Sequence, residues 1–257
     1  MAVSVPRPVV PPMVPRDKID HAVAVLQAAG THPPALHTNS FGPEGVVLTH
    51  LISRHAPDIR TVSLDTGRLP EETYAVAEAL RRRYGVQIDW YYPDADALRA
   101  FTREHGVNAF YAAPELRRSC CDIRKVEPLH RALAGHGAWV TGRRRDQSAH
   151  RADLPEREWD ERRGILKFNP LTEWTEADVW AFIRAEDIPY NALHDRHFPS
   201  IGCAPCTRAV TLGEDPRAGR WWWEQDGPRE CGLHGPARPL ADNEAPIAYR
   251  PLPDASI

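Results

Sequence analysis

The chain has 257 residues, 42% hydrophobic and 26% charged, which provides enough apolar material for one large or two small cores and argues against wholesale disorder. With 32 Lys and Arg against 35 Asp and Glu, the net charge is −3, which disfavours a general nucleic-acid binder; no apolar run approaches bilayer length, so no membrane-spanning helix is expected. The first twenty residues, MAVSVPRPVVPPMVPRDKID, lack the apolar middle of a secretory signal, and a cytoplasmic chain is the expectation.

Proline accounts for 25 residues, roughly twice average usage. Ten of them sit at the ends (Pro6, Pro8, Pro11, Pro12, Pro15; Pro236, Pro239, Pro246, Pro251, Pro253), so residues 1–16 and 236–257 read as extended arms. Between them two hydrophobic periods alternate. Ala35–Asn39 predicts a strand and Glu44–His55 a helix; Thr61–Asp65 a strand and Glu71–Arg83 a helix opened by Pro70. Val86–Tyr92 predicts a strand, Ala95–His105 and Asp122–Ala134 helices, Ala138–Thr141 a strand, and Thr175–Arg184 a helix with Thr175 and Asp178 as a capping pair. The pattern dissolves after about Pro189. Strands alternating with helices imply an α/β fold: a mostly parallel sheet with helices on both faces, over residues 17–200, followed by a segment 201–235 packed on it or swinging over it as a mobile tail.

Ligands of such sheets bind at the carboxyl ends of the strands. Three loops fall there: Ser40-Phe41-Gly42-Pro43, Asp65-Thr66-Gly67-Arg68, and Gly142 through Ser148, the last carrying Arg143, Arg144 and Arg145. Singly, each reads as an ordinary turn or a solvated charged face; together at one sheet edge they point to a nucleotide phosphate.

The five cysteines sit in a chain expected in a reducing compartment, which favours metal or thiol chemistry over disulfides. Cys120-Cys121 and Cys203-Cys206 form two pairs; adjacent cysteines are unusual in structural zinc sites, so an iron–sulfur cluster is favoured over zinc. The alternative is that Cys120 and Cys121 are buried small apolar residues, against which stand the neighbouring Arg117, Arg118, Arg124 and Lys125. Cys231, in Glu230-Cys231-Gly232-Leu233-His234, has no pairing partner and reads as a nucleophile, with His234 close by in sequence. Arg217 and Arg220 are spaced to face one anion, and Trp221, Trp222 and Trp223 either anchor the segment or fix these arginines over a ligand.

These motifs resemble one family. SFGPEGVVLTHL (40–51), VSLDTGRLPEETY (62–74), CCDIRKVEPL (120–129), VTGRRRDQSAHR (140–151), KFNPLTEWTEADVW (167–180), GCAPCTRAV (202–210), GEDPRAGRWWWE (213–224) and ECGLH (230–234) are similar to the assimilatory adenylyl-sulfate reductases of the 4Fe-4S branch of the adenylyl-sulfate and phosphoadenylyl-sulfate reductases. The resemblance implies an adenine nucleotide α-hydrolase fold of the ATP-pyrophosphatase type, with adenosine near Ser40, Phe41, Leu64 and Gly142. It implies that the phosphosulfate faces Lys125, Arg144, Arg151, Arg217 and Arg220, with His234 closing in, and that Cys120, Cys121, Cys203 and Cys206 hold a 4Fe-4S cluster. It further implies that Cys231 attacks the sulfur of adenylyl sulfate, that AMP leaves, and that thioredoxin resolves the S-sulfo intermediate to sulfite, within sulfate assimilation and cysteine biosynthesis. A homo-oligomer is also suggested. The first loop departs from the family pattern, which commonly has Glu-Asp where this chain has Glu44-Gly45; because backbone N–H groups dominate such loops, the site is expected to be retained.

Three alternatives compete. A phosphoadenylyl-sulfate reductase usually lacks the two cysteine pairs while keeping ECGLH. An ATP pyrophosphatase or adenylyltransferase would need Mg and not Cys231. A zinc merely stapling the C-terminal segment would make Cys231→Ser silent. Iron and sulfide content separates cluster from zinc, and a nucleophile test separates a reductase from the rest.

Overall fold

The computed structural model describes residues 13–147, 151–224 and Leu233. Its centre is a six-stranded sheet built from β1 (Ala35–Thr38), β2 (Arg60–Leu64), β3 (Ile88–Tyr91), β4 (Ala138–Val140), β5 (Arg157–Asp160) and β6 (Ile165–Phe168), in the order β3-β2-β1-β4-β6-β5. All neighbours are parallel except β5, which pairs antiparallel with β6 and forms the edge. The helices are α1 (Arg16–Gly30), α2 (Pro43–His55), α3 (Glu71–Tyr84), α4 (Ala95–His105), α5 (Pro114–Cys121), α6 (Glu127–Leu133) and α7 (Glu176–Ala185).

Strand alternation sorts the core into two layers. Ala35, Ala138, Val140, Leu166 and Phe168 face α1, α2, α3 and α7. Leu36, Val62, Trp139 and Ile165 face the other way, onto Leu129, Ala132 and Leu133 of α6. The expected mostly parallel sheet with helices on both faces is therefore the observed one. Helix ends obey the local sequence: Pro43 opens α2, Asp94 accepts from the N–H groups of Asp96 and Ala97 at the start of α4, and the capping box of α7 joins Thr175 and Asp178.

Three elements depart from the expectation. Helix α1 occupies a stretch for which the sequence pattern predicts no element. The helix expected over Asp122–Ala134 is preceded by α5 and opens with a π-helical stretch, Asp122–Val126. The β5–β6 hairpin is absent from the sequence expectation, because Glu158, Asp160 and Lys167 in its strands are charged and yet buried. Beyond α7 the chain is irregular through Glu224 and tied to the body by short contacts, among them Ala204 N–H to the Arg68 carbonyl (2.8 Å) and Arg208 N–H to the Gly219 carbonyl (3.0 Å). No helix among the described residues is long and apolar enough to cross a membrane.

Candidate active site

The chain order of the strands reverses between β1 and β4, and a crevice opens there beyond their carboxyl ends. A cavity of about 280 Å³ fills it. Ser40, Leu64, Lys125, Gly142, Arg151 and Arg220 all line it, together with Leu233. A larger cleft of about 980 Å³ adjoins it and shares Ser40, Glu44, Gln147, Arg151, Ile201 and Arg220; Arg144 and Arg217 line only this second space. Cys231 and His234 lie outside the described residues.

Each loop is shaped by side chains acting on its own backbone. After β1, the buried Asn39 accepts the Phe41 N–H on Oδ1 (2.7 Å) and donates through Nδ2 to Thr49 Oγ1 (2.8 Å). This holds Phe41 at φ 59°, a left-handed conformation for a bulky residue. The Phe41 ring consequently turns into the core against Trp90 (5.6 Å between centroids), and Ser40 is the residue that the loop presents to the cavity. The adjoining α2 N-terminus has Gly42 as its cap and no capping side chain, leaving first-turn N–H groups to an anion. After β2, Asp65 accepts the Gly67 N–H (2.7 Å) and Thr66 accepts the Arg68 N–H (3.2 Å). After β4, Gly142 packs so closely on α2 that a Cβ there would lie 2.8 Å from the Glu44 Cβ.

The arginine run is committed to protein partners. Arg143 pairs with buried Glu158, and Arg145 pairs with Glu173. Arg144 pairs with Glu44 (2.9 Å) and Asp146 (3.1 Å) and donates to the Trp174 carbonyl (3.3 Å). Arg151 donates to Gln147, whose amide in turn donates to Glu44 (3.0 Å). Arg220 stacks over Trp221 (4.7 Å), lies against Gly202, and donates to Ser200 Oγ (3.3 Å). Thr66, Arg143 and Gln147 also line the cavity, beyond the residues that the sequence assigns to the site. All three stand in loops that the sequence marks for phosphate, Thr66 after β2 and Arg143 and Gln147 after β4, though no single one of them is set apart by its spacing.

Beside the cavity, Cys120, Cys121, Cys203 and Cys206 gather with Phe110, Trp221 and Trp223 in one small cluster, none of the four in a disulfide. Two distant pieces of chain meet here: α5 with its π-helical continuation, and the turn Ala204–Cys206. Burial pushes the Cys206 thiol up to about 12, with Cys203 adding to the rise. Burial also works to raise Cys203, but Lys125, the Thr66 hydroxyl (Sγ to Oγ1 3.3 Å), Arg220 and Arg124 hold it below the usual thiol value. Among the described residues, the buried Arg124 Nε and Trp221 Nε1 have no hydrogen-bond acceptor. Buried donors and cations around four thiols suit an anionic occupant. Among the described residues, no group of three or more His, Cys, Asp or Glu side chains is placed to hold a single metal ion. The three tryptophans divide: Trp221 is buried, stacked between Arg117 (4.8 Å) and Arg220, Trp223 packs on Tyr111 (4.4 Å), and Trp222 is 40% exposed.

Comparison with known proteins gives this geometry a context. An adenosine 5′-phosphosulfate reductase of Burkholderia cepacia is 54% identical over 84% of this chain and 87% of its own. A crystal structure of the phosphoadenylyl-sulfate reductase of Candida auris, a phosphate complex, superposes with a TM-score of 0.63 at 30% identity, covering 77% of this chain and 99% of that one. An FMN adenylyltransferase of Candida glabrata, at 15% identity and a TM-score of 0.54, covering 88% of this chain and 77% of that one, shares the fold alone. Residues 34–209 match the phosphoadenosine phosphosulfate reductase domain, and the chain belongs to that family.

Proposed function

We propose that this chain reduces adenylyl sulfate to sulfite and AMP. The observation that carries the reading is the switch-point cavity, where Ser40, Leu64, Gly142, Lys125, Arg151 and Arg220 meet Leu233 of the Glu-Cys-Gly-Leu-His segment. Its 280 Å³ suits a nucleoside, and the phosphosulfate would extend toward the adjoining cleft with Arg144 and Arg217. Cys231 is two residues before Leu233 in the sequence.

In this reading the Cys231 thiolate attacks the sulfur of the bound sulfuryl group. A bond forms between the Cys231 Sγ and that sulfur, the sulfur–oxygen bond to phosphate breaks, and AMP leaves with the electron pair. The cavity's cations neutralise two anions that must meet. A dithiol of the thioredoxin class then attacks the Cys231 sulfur, sulfite departs, and the second thiol closes the donor's disulfide, which supplies the two electrons. Cys120, Cys121, Cys203 and Cys206 would hold a 4Fe-4S cluster, whose contribution when bound is structural and electrostatic. Lys125 lies in the sequence just after one ligand pair and also lines the cavity, so it links the two. His234 completes the anion site.

Sulfite release in the presence of reduced thioredoxin tests the reading. Adenylyl sulfate is expected to be turned over at least tenfold more efficiently, by kcat/KM, than the 3′-phosphorylated nucleotide. The reverse order would make the chain a phosphoadenylyl-sulfate reductase.

A further inference from the structure

The β5–β6 edge carries a buried ionic network that the chemistry above does not use. Lys167 Nζ lies 3.4 Å from Glu158 Oε1, 3.8 Å from Asp160 Oδ2 and 4.6 Å over the Trp139 ring. Arg143 shares Glu158 from the loop after β4. Arg163, in the turn between the strands, pairs with Asp160 at 3.0 Å and its guanidinium lies 5.2 Å over Trp139. Its side chain is 3% exposed. Its Nη2 then donates to the Leu233 carbonyl at 2.8 Å, 70 residues away in sequence. Leu233 is half-buried, packs on the Leu36–Val62–Trp139 layer and lines the nucleotide cavity.

Buried ion pairs recover their desolvation cost poorly, so a purely stabilising role accounts weakly for this network. Its achievement is geometric. A planar guanidinium can serve a carboxylate and a carbonyl at once in fixed directions, which an ammonium on a flexible stem does not. We propose that Arg163 is a positioning residue: clamped by Asp160 and Trp139, it fixes Leu233, two residues after Cys231 in the sequence, in the wall of the nucleotide cavity. The proposal rests on Cys231 being the nucleophile. Holding the reacting group in place reduces the orientational cost of the chemical step and leaves nucleotide binding largely to the loops.

The test is single-turnover formation of the SO3 adduct on Cys231, monitored by quenched intact-protein mass in the full-length chain. It is run beside equilibrium binding of adenylyl sulfate in a Cys231→Ser background and hydrogen exchange of the peptide containing Leu233. Arg163→Met leaves Asp160 to Lys167; a second variant, Asp160→Asn with Arg163→Met, removes both charges together. Both are expected to form adduct at least tenfold more slowly, to bind adenylyl sulfate within threefold of the unaltered chain, and to exchange faster at Leu233. Arg163→Lys is expected not to rescue. An adduct rate within twofold in a folded variant, a slow rate matched by an equal loss of affinity, or unchanged exchange at Leu233 would overturn the proposal. Absence of adduct on the unaltered chain would instead sink the nucleophile reading and the positioning role with it.

Discussion

At the scale of one residue, Arg144 combines an expected contact with substrate and an observed brace, and only the first is announced by the sequence. The family resemblance implies that it faces the phosphosulfate, and it lines the larger cleft. Yet its side chain, 6% exposed, is held by Glu44 and Asp146, and so it also braces the loop after β4 against α2. Breaking a buried pair from one side leaves an uncompensated charge. Arg144→Met is therefore expected to lower unfolding free energy by about 3 kcal/mol and to raise KM for adenylyl sulfate. In Glu44→Gln with Arg144→Met, denaturant melts should recover most of the stability while KM stays high; recovery of both would leave Arg144 a brace only. What the sequence makes legible is which residues gather: Ser40 and Gly142 line the cavity, and Cys120, Cys121, Cys203 and Cys206 share one cluster. Phe41 shows the limit of reading position alone: its neighbour Asn39 turns the backbone left-handed and sends the ring into the core.

At the scale of elements, the π-helical stretch Asp122–Val126 is the feature least visible in the sequence, because its hydropathy reads as an ordinary helix. One extra residue in the turn rotates the downstream helix by about 100° around the axis relative to an unbroken α-helix. Within this stretch Arg124 and Lys125 are both buried beside the Cys120–Cys121 pair, and Arg124 donates to the Thr66 carbonyl (2.5 Å). Deleting the exposed Asp122 is expected to return the stretch to α-helix and to cut iron and sulfide content to below half that of the unaltered chain, with the far-ultraviolet spectrum of the fold retained. Full metal content in that deletion would show that the register is irrelevant to the thiols. The β5–β6 hairpin escapes for a different reason. Period-two reading depends on apolar inward positions, and here buried positions are charged and satisfied by one another. Helix α1 is legible in principle from Ala22, Val25, Leu26 and Ala29, but the proline-rich residues before it draw the reading towards an arm.

Across the whole molecule, the alternation of strands and helices suffices to set a parallel sheet covered on both faces, and the switch point is a consequence of that topology. The strand order itself is not legible, since pairing is decided by packing between distant segments. Burial in this sheet also sets an acid limit on the fold. His37, on central strand β1, is fully buried, and burial lowers it to about 3. Burial, then the nearby Arg54, Arg83 and His55, lower His50 to about 4. The unfolded chain binds these protons near pH 6.5 and the folded chain does not, so stability is full above that pH and falls as pH drops towards 3. From about pH 7 to 5, His37 alone is expected to cost about 2 kcal/mol, measurable by denaturant titration. His37→Val should flatten that part of the profile; an unchanged slope would contradict the assignment.

The most direct measurement of the central claim is the mass of the intact chain after anaerobic incubation with adenylyl sulfate and no thiol, beside phosphoadenylyl sulfate and the Cys231→Ser variant. The expected result is one added SO3 group, delivered faster by adenylyl sulfate and absent from the variant. No adduct with either nucleotide, on protein shown to hold its iron and sulfide, would contradict the reductase reading and leave a nucleotide-binding enzyme of the pyrophosphatase type.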